Sequence, residues 1–103
     1  MAMVHDGDRA TAAEELTQRL QGVRRDPRSE PLLRLALDLC RAGCYVEAEE
    51  VSRLELREAG ETAAGSVALA TALLGQGRVR DAAAEAVNVL RREPSFVPAH
   101  RIL

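Results

Sequence analysis

The chain has 103 residues, a formal charge of −2 at pH 7, one Tyr, one Phe and no Trp. That length admits one small domain or a piece of one. The scarcity of rings excludes a large aromatic core, and the charge provides no global basic field toward nucleic acid or an anionic membrane. The apolar share comes from Ala and Leu with Val support, a composition that favours closely packed helices. Every basic residue is Arg, a compositional hint of a GC-rich, bacterial source.

In chain order, Met1-Ala2-Met3-Val4-His5-Asp6-Gly7-Asp8 has no apolar run and is not a signal peptide. Residues 1–7 are expected to be disordered, and Met1-Ala2 ahead of Met3 has the form of a cloning remnant. No stretch approaches the roughly 18 apolar residues of a spanning helix, so a cytoplasmic location is expected. An N-terminal helix is assigned to residues 8–28, with Thr11 and Glu14 spaced as a capping box. Leu16, Leu20 and Val23 form its apolar stripe, Arg24-Arg25 suit its C-terminal end, and Asp26-Pro27 stops it.

Residues 29–60 and 61–94 each read as a helical hairpin. In the first, Ser29 is the expected N-cap of a helix running to about Ala42 that carries Leu32, Leu33, Leu35, Ala36, Leu37, Leu39 and Cys40. Gly43 breaks it, and a more polar helix follows from about Val46 to Ala59, with Ala48, Val51, Leu54 and Leu56 inward and Gly60 at its end. In the second, a helix from about Thr62 to Gln76 holds Val67, Leu69, Ala70, Leu73 and Leu74. Gly77 turns the chain into a partner helix from about Val79 to Glu93, with Ala82, Ala86, Val89 and Leu90, closed by Pro94. Short Gly-containing turns make the helices of each pair antiparallel neighbours. No segment alternates with period two, so no strands are expected.

The two hairpins are copies of one unit. Leu35, Ala36, Leu39, Gly43, Ala48, Leu56 and Arg57 recur as Leu69, Ala70, Leu73, Gly77, Ala82, Leu90 and Arg91, a constant step of 34 residues. Tyr45/Val79 and Glu47/Asp81 are conservative matches in the same register. A period of this size marks a stacked array rather than one closed core. Leu then a small residue, Gly at the turn, an apolar or aromatic residue two later, then Ala, and a closing Pro together resemble the tetratricopeptide repeat family. The usual Trp near the repeat start is replaced by Leu32 and Ser66, and Gly60 stands in place of the first closing Pro. The resemblance covers about residues 29–103 and implies an all-α fold: antiparallel pairs stacked as a short right-handed α-solenoid, about five helices plus a C-terminal stub. The first helix looks like half of a degenerate preceding repeat. Residues 95–103, from Phe96 to Leu103, look like the opening of a third, with Leu103 in step with Leu35 and Leu69. A terminal repeat normally carries a polar cap, so truncation of a longer array is the expectation here.

By the family's geometry, the first helix of each pair lines a concave groove. Leu33, Leu37, Cys40 and Arg41 would project there from one repeat, Val67, Thr71 and Leu74 from the next, and Arg101 from the stub. The alternative is that some of these side chains are core between helices. Some relatives in the family clamp a peptide carboxylate with Lys and Asn. Leu33, Leu37 and Thr71 occupy three matching positions and cannot donate as those residues do; only Arg101 is compatible. The resemblance therefore implies a protein–protein interaction module that takes an apolar or amphipathic segment of a partner. One alternative is self-association through Val89, Leu90, Phe96, Ile102 and Leu103, giving a homodimer by helix exchange. A narrower version is a secretion-type chaperone for an apolar client.

Other chemistry is disfavoured. Cys40 and Cys44 lack a second ligand pair for zinc, and a cytosolic disulfide is not expected. Arg24, Arg25 and Arg28, and Arg91-Arg92, sit where cations decorate helix ends, and Glu47, Glu49, Glu50, Glu55 and Glu58 weigh against RNA. There is no Gly-rich phosphate loop, no HExxH and no nucleophile elbow. No enzyme activity, metal or cofactor is expected.

Overall fold

The computed structural model describes the backbone of residues 2–103 and the side chains from Ala12 onward. Six α-helices follow one another, with no strand among the described residues: α1 (Ala2–Arg25), α2 (Leu32–Arg41), α3 (Tyr45–Ala59), α4 (Ala63–Gly75), α5 (Val79–Arg92) and α6 (Val97–Ile102). Each of α2 to α5 packs on the next helix in the chain, α2 also touches α4, α4 touches α6, α5 touches α6, and α1 leans on α2. The extents are 46 × 31 × 21 Å.

Two turns set this order. At the end of α2, the Gly43 amide donates to the Cys40 carbonyl at 3.1 Å and the Cys44 amide to the Leu39 carbonyl at 2.9 Å. At the end of α4, the Gly77 amide donates to the Leu74 carbonyl at 2.9 Å and the Arg78 amide to the Leu73 carbonyl at 3.0 Å. This is the Schellman pattern, and it requires a left-handed residue at the first position past the helix. Gly43 and Gly77 supply it at φ +80° and +77°. The next residue then caps the following helix in the same conformation, Cys44 at φ −87°, ψ 67° and Arg78 at φ −87°, ψ 66°. The repeat seen in the sequence is thus a repeat of backbone geometry.

Burial repeats with the same step. Leu35, Ala36, Leu39 and Ala48 are buried, as are Leu69, Ala70, Leu73 and Ala82. The Ala positions lie where neighbouring helices meet, and only small side chains let the axes approach. One cluster joins Leu20 and Val23 of α1 to Leu32, Leu35, Leu39, Ala48, Val51, Ala68 and Ala72; a second gathers Leu69, Ala70, Leu73 and Ala82, with Leu56 and Ile102 against it.

Charged groups tie the layers at the surface. Arg19 of α1 donates to both carboxylate oxygens of Glu30 and, at 3.0 Å, to Asp38 of α2. Arg24 makes a two-pronged pair with Glu50 of α3. Glu49 of α3 accepts from Gln76, Arg53 and Arg78. The Gln76 hydrogen bond, with Arg53 and Arg78 beside it, holds the Glu49 carboxyl below the usual glutamate range against a smaller opposing effect of burial.

Two helix starts differ from expectation. α1 runs from Ala2, so Thr11 lies inside it rather than at its cap; Met1 lies outside the described residues. α2 begins at Leu32, not after Ser29, because Pro31 takes the cap position in an extended conformation and lacks a hydrogen-bonding side chain. Thr62, by contrast, caps α4 by accepting from the Gly65 amide at 3.1 Å.

Two substitutions test this packing. A Cβ on Gly75 would overlap the ring of Tyr45, which lies across the end of α4. Gly75→Ala, a change that usually helps a helix, should therefore cost about 1–2 kcal/mol through overpacking, read by urea unfolding. Ser52 is fully buried and its hydroxyl has no hydrogen-bond partner, whereas Ala86 fills the equivalent buried position one repeat later. Ser52→Ala should raise stability by about 1 kcal/mol in the same assay; a loss of that size would mean that the hydroxyl is satisfied.

Candidate functional site

With Leu35, Ala36 and Leu39 of α2 turned inward, Leu33 and Leu37 lie toward the outside, Leu33 half-buried and Leu37 38% exposed. On α4, Ala68, Leu69, Ala72 and Leu73 face in, Val67 and Thr71 are half-buried, and Leu74 is 40% exposed. Because α2, α4 and α6 lie in sequence of contact, these outer residues meet. Leu33, Leu37, Ala64, Val67, Ala68, Phe96 and Pro98 line one recess of about 170 Å³, and every lining side chain is apolar. Leu33 and Leu37 also form the floor of an adjoining open recess of about 510 Å³, whose other walls are Pro31, Arg34, Asp38 and Arg41. The two recesses share Leu33 and Leu37 and lie side by side, the smaller one drawing on α2, α4 and α6.

A third cavity, of about 420 Å³, lies between α3, α4 and α5 and is lined by Arg53, Glu61, Ser66, Glu85, Asn88, Arg91, Arg92 and two leucines. Ser66, one repeat step after Leu32, puts a small side chain in its wall. Its cations are largely engaged within the chain. Arg53 is bound to Glu49, and Arg92 donates to the Glu61 and Asn88 carbonyls. Among the described residues, no three His, Cys, Asp or Glu side chains are grouped so as to hold a metal ion. No described helix is long and apolar enough to cross a membrane.

The structure gathers only part of the expected groove. Leu33, Leu37 and Val67 converge, and Arg41 stands on the rim. Thr71 spends its hydroxyl hydrogen on the Val67 carbonyl at 2.8 Å. Leu74 is exposed farther along α4, and Arg101 is exposed on α6, outside the recesses. Cys40 is corrected from groove to core. It is only 9% exposed, packs with Leu35, Leu39 and Ala68, and burial pushes its thiol pKa up.

The residues expected to form a self-association face do not share an open surface. Val89 is 1% exposed, Phe96 lines the apolar recess, Ile102 packs on the Leu69 cluster, Leu90 is half-buried, and Leu103 is exposed. Ala64 and Pro98 were not foreseen as lining residues. They are one repeat step apart, so the 34-residue register was the signal that could have found them.

No family model, curated protein or solved structure matches this chain.

Placement of the two free thiols has a direct consequence. A water-soluble disulfide reagent near neutral pH should modify half-buried Cys44 well before Cys40, with Cys40 reacting at the same rate only once the chain unfolds. Equal rates in the folded protein would return Cys40 to the accessible surface.

Proposed function

We propose that this chain is a tetratricopeptide-type helix-pair array that acts as a protein–protein interaction module, docking an apolar or amphipathic segment of a partner in the groove across α2, α4 and α6. The observation that carries the proposal is the recess built from Leu33, Leu37, Val67, Phe96 and Pro98, which draws apolar side chains from three separate elements onto one side of the molecule. The family reading is supported by the two Schellman turns and by burial that recurs with the same step. The groove offers apolar area and, in its deepest part, no titratable side chain, so it suits burial of a segment rather than acid–base chemistry. Affinity comes from removing apolar surface from water, at about 25 cal/mol per Å², less the cost of ordering the segment. A helix laid in such a groove is read through side chains at i, i+3, i+4 and i+7.

The test uses a fluorescent peptide of about four helical turns, with Leu at that spacing and Gln elsewhere. Anisotropy should report saturable binding. Leu37→Glu should weaken it by about tenfold or more, since a charge would have to be desolvated beside the bound apolar face. The melting temperature should hardly change, because Leu37 is partly exposed already. Binding that survives Leu37→Glu would remove the groove from the account. A dimer dissociated by the same substitution would make a second copy of the chain the occupant.

A further inference from the structure

The formal charge of −2 conceals an uneven distribution. Acid is concentrated on α3, which carries Glu47, Glu49, Glu50, Glu55 and Glu58 against Arg53 and Arg57. The three helices of the groove differ. α4 has no charged residue at all. α2 has Arg34, Asp38 and Arg41, and α6 carries His100 and Arg101 in its last turn. Arg34 and Arg41 line the same open recess as Leu33 and Leu37. Arg101 stands one repeat step beyond Val67 but outside both recesses.

These cations are not neutralised from within. Among the described residues, Arg34 and Arg101 form no ion pair, and Arg41 reaches only Asp38, at 3.5 Å with its own side chain 78% exposed. Asp38 is the one carboxylate lining the groove, and Arg19 of α1 already holds it at 3.0 Å. The groove is therefore an apolar strip with a basic margin at Arg34 and Arg41 that finds little counter-charge among the described residues. We infer that the segment docked there is acidic, with Asp or Glu flanking its apolar stripe so that they face Arg34 and Arg41. This rests on the groove proposed above and adds the chemistry of the partner. Apolar burial supplies most of the affinity; the exposed pairs at the rim supply orientation, association rate and selection against basic segments.

RNA would also answer to a basic margin, but the floor here is aliphatic. Leu33, Leu37, Ala64, Val67 and Ala68 offer no stacking plane, and Phe96 is the single ring.

The deciding experiment compares three peptides that share one Leu stripe and differ only in Glu, Gln or Lys flanks, by anisotropy on the whole chain. At low ionic strength the Glu peptide should bind about tenfold more tightly than the Lys peptide, with Gln between. Added salt of about 0.3 M should close most of that gap. In the Arg34→Glu/Arg41→Glu variant, which changes only exposed side chains, the order of Glu and Lys should reverse while the Gln peptide still binds. Equal affinity of all three peptides would overturn the acidic partner and leave the apolar groove standing. Failure of all three to bind would overturn both. A labelled oligouridylate that bound as tightly as the Glu peptide and was lost in the arginine variant would make the margin a phosphate site, and would likewise overturn the inference.

Discussion

Gly43 and Gly77 hold the geometry on which the rest of the molecule depends. Each sits at positive φ past the end of a helix, where a side chain would be strained, and each lets two amides close back on the last helical turn. The chain leaves both turns in the same direction, since Cys44 and Arg78 share nearly the same φ and ψ. Two helix pairs joined by the same kind of turn follow, and their first helices lie in contact, α2 on α4 and α4 on α6.

Small side chains then decide how closely the units stack. Ala36, Ala48, Ala70 and Ala82 have no exposed surface, so the helices meet at them almost backbone to backbone. At Gly75 the contact is tighter still, because the Tyr45 ring occupies the space of a Cβ. Outside the core, Gln76 reaches both the Tyr45 carbonyl and the Glu49 carboxylate, and Arg78 completes the tie. Glu49 of α3 thus joins one pair to the next. On the groove side Arg19 and Arg41 share Asp38, and the apolar strip beside it stays open.

Much of this was legible in the sequence because the repeated residues carry conformational meaning. Gly43, Gly60, Gly77 and Pro94 marked helix ends that the structure keeps, and paired Leu and Ala marked the buried face. The misreadings have local causes. Thr11 has the chemistry of a cap, but α1 continues through it from Ala2. Ser29 is a good capping residue overruled by Pro31 two positions later. Cys40 was expected on the groove with Leu33 and Leu37, yet it is buried in the cluster that also holds Leu39 and Ala68. Periodicity fixes which face of a helix is apolar; it does not say which apolar residue the next helix covers. Phe96 illustrates the same limit. Its apolar character was plain, but whether it served an outer surface or a groove depended on where α6 lay against α4.

The central claim is that repeated geometry creates one binding side, formed by α2, α4 and α6. The most direct measurement is a map of amide chemical-shift changes in the isotopically labelled chain, titrated with the Leu-stripe peptide that carries Glu flanks. Perturbations confined to the neighbourhood of Leu33, Leu37, Val67 and Phe96, and weak along α3 and α5, are the predicted result. Changes centred on Arg53, Ser66 and Arg91 would put binding on the opposite cleft and contradict the account.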